Sequence, residues 1–144
     1  MEKDFQISTS HMVMGADLNP RDNLYAGSCA RYMVETGFLT VQSYLASPHI
    51  VCFSLTGLKF LKPIHKGMSV KMTGTVVDAG RTSVGVYMEM TELLTGVRAA
   101  EGFLTFVSIA EETQRPVPHH KVFPGVSDAM AAKRRQYLAL KAVR

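Results

Sequence analysis

One carboxylate stands inside an otherwise apolar run of this chain. It is Glu35, between Leu24 and Leu45, and the only other charge in that run is Arg31. A carboxylate kept among apolar side chains can act as a general base on water or attack a carbonyl carbon directly. The structural alternative is an ion pair, because Arg31 and Glu35 are four residues apart and share a helix face with Ser28 and Gln42. At the start of the same segment, backbone N–H groups around Gly27 and Ser28 are natural donors to a developing oxyanion. Glycine there lets a substrate approach the main chain closely.

The turn Asp17-Leu18-Asn19-Pro20-Arg21-Asp22-Asn23 precedes that run, and its Asp, Asn and Pro residues favour local bonds over ladder pairing. Asp22 or Asn23 is placed to cap a helix. The spacing predicts that helix from Leu24 to Leu45, apolar nearly all round, so that other structure must wrap it. The break Ser47-Pro48-His49 ends it. Strands follow over Ile50–Phe60, Ser69–Asp78, Ser83–Glu92 and Arg98–Ile109, after an opening strand from Gln6 to Met14. Ser83 to Glu92 alternates with period two: Val84, Val86, Met88 and Met90 on one face, Ser83, Gly85, Tyr87, Glu89 and Thr91 on the other. That pattern predicts a half-buried strand. Short turns between successive strands imply antiparallel pairing. The last segment, Ser127 to Val143, opens on a Ser-Asp cap and reads as a surface helix with a narrow apolar stripe through Met130 and Tyr137.

Composition excludes several classes. A chain of 144 residues, 47% apolar, is one domain with a real core, not a disordered protein. Residues 1–126 form that domain and 127–144 a basic helical tail. No run reaches the roughly 18 apolar residues of a membrane span. The start, Met-Glu-Lys-Asp-Phe, is not a signal peptide, so the expected compartment is the cytoplasm, with Cys29 and Cys52 reduced. From His119 onward six basic residues face one acid, which leaves the remainder nearly neutral within a net charge of +4. No interleaved aromatics or recognition motif accompany this basic tail, so neither nucleic acid nor membrane is expected as a partner. Five histidines without helical ligand spacing, His119 and His120 among them, make no metal site. The nine methionines read as adaptable core filler, some of them able to line an apolar pocket.

The element order and its turns resemble the hotdog fold, and more narrowly the acyl-CoA thioester hydrolases, from about Met12 to Leu140. Asn19, Asp22, Tyr25, Ala26 and Gly27 stand where that family has its Asn, Gly, aromatic and two glycines. Phe60, Pro63 and Gly67 match a Phe-x-x-Pro-x-x-x-Gly turn, and Gly80-Arg81-Thr82-Ser83 matches Gly-Arg-Thr-Ser in full. Leu94-Thr95-Gly96, Phe103 to Val107 and Pro116-Val117-Pro118 agree as well. Two departures stand out: Asp22 and Ala26 replace motif glycines, and the family's helix acid, usually Asp, falls by counting on Val34, one place before Glu35.

The resemblance implies an α+β hotdog domain, a five-stranded antiparallel sheet wrapped around one long central helix, with a C-terminal surface helix. It implies hydrolysis of acyl-CoA to free acid and coenzyme A with no metal and no cofactor beyond the coenzyme A of the substrate. Asn19 would hold the attacking water or the thioester oxygen, Glu35 would act as base or nucleophile, and Gly27 would sit at the oxyanion. Arg81, Thr82 and Ser83 would hold the phosphates or pantetheine arm. Hotdog sheets pair their open edges across a two-fold axis, which implies a homodimer, extended to a tetramer or hexamer, with sites shared between chains. Two alternatives remain. Asp17-x-Asn19-Pro20 is similar to an element of the hotdog enoyl-CoA hydratases, although Asp22 and Asn23 stand where that family places its His. Val34 in the acid's position fits a non-catalytic acyl-CoA-binding module.

Overall fold

The computed structural model describes residues 4–143. Five strands form one antiparallel sheet: β1 (Gln6–Met12), β2 (Ile50–Phe60), β3 (Ser69–Ala79), β4 (Ser83–Glu92) and β5 (Arg98–Ser108). Their spatial order is β1-β3-β4-β5-β2, so β1 and β2 are the edges. The long helix α1 (Ala26–Leu45) lies against one face and α2 (Asp128–Val143) against the other. This is the hotdog architecture that the sequence implies. Among the described residues, no helix is long and apolar enough to cross a membrane.

The pattern of β4 explains the layering. Val84, Val86, Met88 and Met90 enter the main core with Cys29, Met33 and Val41 of α1. Gly37 brings α1 close to the sheet, because a methyl there would collide with Leu104. The other face of β4 is covered too, so its centre is buried on both sides instead of half-buried. The cause is α2. Tyr137, only 2% exposed, joins Val77, Tyr87 and Phe103 in a second apolar cluster. Its ring lies over Gly85, where no Cβ would fit, and its hydroxyl shares a 2.8 Å hydrogen bond with Thr105. Charges hold the helix in register. Lys133 donates to Glu101 at 2.9 Å and Arg134 to Asp78 at 3.1 Å. Burial opposes ionisation of Glu101, but the bonds from Lys133 and Tyr87 win and hold its carboxyl below the usual range.

Helix α1 begins later than the turn residues suggest. Its N-cap is Tyr25, with no side-chain cap, and not Asp22 or Asn23. Nor is it enclosed on every side. Arg31, Glu35 and Leu39, spaced four apart, form an exposed stripe on the face turned from the sheet. One sheet can cover only one side of a helix.

Truncating Tyr137 to Ala is expected to cost about 3–5 kcal/mol, the usual range for a buried aromatic. Tyr137→Phe should cost only about 1 kcal/mol through the lost hydroxyl bond. Urea unfolding of the two variants checks the order; equal midpoints would mean that α2 contributes nothing to the sheet's outer core.

Candidate active site

The segment from Leu18 to Tyr25 is clasped to the β2–β3 connection. The Leu24 N–H donates to the Ile64 carbonyl at 2.7 Å, and the Lys66 N–H donates to the Asp22 carbonyl at 3.0 Å. The side chains of Asn23 and His65 meet at 2.7 Å. The helix lacks a side-chain cap because its N-cap is Tyr25, which has no short side-chain oxygen to offer; the Asn23 side chain is used across the clasp. The Phe60-Pro63-Gly67 motif supplies the second arm, and Gly67 (φ 89°) takes a conformation that a side chain would strain.

Asp22 replaces a motif glycine and adopts φ 59°, a left-handed conformation. Asp is one of the few residues with a Cβ that visits this region readily. The substitution therefore preserves the turn.

Inside the turn, Asn19 Oδ1 accepts the N–H groups of Arg21 (2.9 Å) and Asn23 (3.1 Å). Its amide Nδ2 has no hydrogen-bond partner among the described residues. At the helix start, the first intrahelical bond runs from the Cys29 N–H to the Tyr25 carbonyl. The N–H groups of Ala26, Gly27 and Ser28 precede it and have no partner among the described residues. Asn19 and Ala26 both line a cavity of about 320 Å³ whose exposed rim also includes Phe60 and Lys62. Its deeper wall is made of the buried residues Cys29, Ile64, Met90 and Ala99. Asn19 and Ala26 thus stand at a largely apolar cavity, an arrangement suited to a carbonyl that gains negative charge, whereas Gly27 and Ser28 are not part of its lining and the Tyr25 ring lies against Gly27. Burial pushes the Cys29 thiol up to about 11, so this cysteine is not a nucleophile at neutral pH.

Glu35 does not line this cavity. Its side chain is 54% exposed and lies 3.5 Å from Arg31, as the i,i+4 spacing foretells. Arg31 also reaches Asp17 at 3.2 Å. Asp17 itself is buried, accepting the Met14 N–H at 2.9 Å and the Tyr32 hydroxyl. Burial, then that bond to Asp17, push the Tyr32 phenol up to about 12. The ring of His11 stacks on Tyr32 at 4.2 Å. Among the described residues no histidine bonds to Asp17, so the Asp-x-Asn-Pro acid is a strut of the turn and not half of a dyad. Val34 packs against the main core.

Arg81, Thr82 and Ser83 lie at the opposite end of the sheet. β4 starts at Ser83, and its ten residues carry the chain toward the Asn19 end, about 30 Å at the usual rise. Arg81 lines an open groove of about 490 Å³ with His120 and Lys121. The Arg81 carbonyl accepts the His119 N–H at 3.2 Å, and Ser83 Oγ accepts from Lys141 at 3.4 Å. In the sequence, His120 and Lys121 carry no signal for this groove beyond their place in the basic tail. Among the described residues no group of three His, Cys, Asp or Glu side chains forms a metal cluster.

No protein-family model matches the chain. An uncharacterized acyl-CoA thioester hydrolase of Bacillus subtilis (strain 168), YkhA, is 28% identical over 126 residues, covering 85% of this chain and 72% of that protein. The crystal structure of an acyl-CoA hydrolase from Bacillus cereus superposes with a TM-score of 0.85 at 24% identity, covering 96% of this chain and 85% of its own. An apo-hexameric acyl-CoA thioesterase gives a TM-score of 0.78 at 27% identity, with 95% and 92% of the two chains covered. The resemblance drawn from the sequence motifs is borne out.

Asp22→Gly is expected to keep the fold within about 0.5 kcal/mol. Asp22→Val should lose about 1–2 kcal/mol, because a β-branched residue must enter the left-handed region. Thermal unfolding of both checks this; a stable Val variant would show that the turn does not need that conformation.

Proposed function

We propose that this chain, a hotdog-fold relative of the acyl-CoA thioester hydrolases, hydrolyses acyl-CoA to free acid and coenzyme A. The observation that carries the reading is the cavity at the start of α1, which Asn19 and Ala26 line and beside which the N–H groups of Ala26, Gly27 and Ser28 have no partner among the described residues. A thioester carbonyl placed there would lean its oxygen on the helix start and on Asn19. Water attacks the carbonyl carbon while a carboxylate takes its proton. The tetrahedral oxyanion collapses, the C–S bond breaks, and the coenzyme A thiolate leaves and is protonated.

The carboxylate in this proposal is Glu35 of the partner subunit. Within one chain Glu35 lies nine residues beyond Ala26, about 13 Å along the helix, and it faces away from the cavity. Assembly supplies the remedy. β1 is a short, polar edge, whereas β2 exposes Val51, Phe53 and Phe60. Two copies joined edge to edge along β2 by a two-fold axis would hide these residues and continue the sheet. The same axis lays the Phe60 end of one strand beside the Ile50 end of the other. It thereby carries the partner's Arg81, Thr82 and Ser83 toward the first chain's cavity, where the phosphates or pantetheine arm would lie. The dimer would associate further, as the hexameric relative does. With no nucleic-acid or membrane partner proposed, the enzyme would work in the cytoplasm on a soluble substrate.

Complementation tests the shared site. Asn19→Ala and Glu35→Gln are each expected to lower thioester turnover by about 100-fold or more, and mixed, re-associated subunits should regain part of it. Near-normal turnover by Glu35→Gln would return that residue to its ion pair with Arg31, whose exposed position makes it worth little to stability. Arg81→Ala should raise KM for acyl-CoA more than it lowers kcat, since a remote phosphate contact is equal in ground and transition states. A fully active monomer by light scattering would overturn the two-chain site.

A further inference from the structure

The cavity beside Asn19 has a depth and a chemistry that bear on which acyl group fits. Its deep wall combines two small residues, Cys29 and Ala99, each 1% exposed, with Ile64 and Met90. The Cys29 thiol touches the Met90 sulfur at 3.7 Å, and both residues line the cavity and are buried. Among the described residues no charged side chain belongs to that wall, and Lys62, the one cation lining the cavity, is on the exposed rim. An apolar, buried end accepts methylenes and rejects a terminal carboxylate, which would lose its water without gaining a partner. A protein cavity of about 150 Å³ accepts benzene, so 320 Å³ holds roughly twice as many carbons, less the space at the mouth that the thioester takes.

We infer that this cavity is the acyl pocket and that the Cys29–Met90 contact sets its depth, so that the preferred substrates are unbranched, medium-chain acyl groups of about eight to ten carbons. The inference rests on the thioesterase reading above. Chain length would be read as hydrophobic burial: each methylene that fits adds about fourfold to kcat/KM, and those beyond the Cys29–Met90 contact add nothing.

The test is a thiol-release assay over saturated acyl-CoA esters from two to sixteen carbons, with one dicarboxylic acyl-CoA included. The unaltered protein is expected to gain in kcat/KM up to eight to ten carbons and then to level or fall, and to use the dicarboxylic ester poorly. Cys29→Leu, which fills the inner end, should shorten the optimum by two or more carbons. Met90→Ala, which only removes atoms, should lengthen it, and this opposite shift answers the question even if the Leu variant folds badly. Hydrolysis with an unchanged chain-length profile in Met90→Ala, or a preference for the dicarboxylic ester, would overturn the acyl pocket while leaving the thioesterase standing. Failure of the unaltered protein to cleave any member of the series would instead overturn the thioesterase reading itself.

Discussion

The site depends on a small clasp between two loops that are far apart in the chain. Backbone bonds from Leu24 to Ile64 and from Lys66 to Asp22, together with the Asn23–His65 contact, hold the Asn19 turn against the β2–β3 connection. The clasp uses the Asn23 side chain, and α1 starts only at Ala26 with Tyr25 as its N-cap. It turns Asn19 into a rigid turn residue whose carbonyl oxygen is spent and whose amide is spare. It also forms the cavity, because one arm supplies Asn19 and Ala26 and the other Phe60 and Ile64. The donors that the proposed reaction would use are therefore a by-product of how the two loops satisfy each other.

The sheet imposes the second constraint. With α1 on one face and α2 on the other, each β4 residue near the centre is buried, and Gly37 and Gly85 are two of the points where a helix and a strand approach too closely for a Cβ. Such a layered body leaves only its ends and edges for chemistry. The Asn19 cavity sits at one end, the basic groove of Arg81, His120 and Lys121 at the other, and a single chain cannot bring them together. An edge strand that exposes Val51, Phe53 and Phe60 gives the physical motive for a second copy. In the proposed dimer assembly and catalysis would answer to the same geometry.

Most of the architecture was legible in the sequence because its signals are local. Pro48 and the Gly80 turn bracket strands whose β-branched residues and period-two alternation need no distant information, so Ile50–Phe60 and Ser83–Glu92 agree with the structure at both ends. Asn19, Ala26, Phe60 and Pro63, spread over some forty positions, are marked by the resemblance to the family's motifs and do converge on one cavity. Asp22 in place of a glycine was legible as a departure, but its harmlessness was not. That required the backbone angle.

What the sequence by itself determined is the set of elements, their antiparallel order, and the polar residues at the turns, since propensity, period and turn chemistry act over a few residues. What only the tertiary structure decided are matters of partnership. Asn23 serves a clasp because His65 is there to receive it. Tyr137 is buried because Gly85, more than fifty residues earlier, leaves room for its ring. Glu35 lies on an open face because one sheet covers one side of a helix, whatever the helix's own composition. Each outcome turns on which distant atoms arrive at a place, and that is information a linear pattern does not hold.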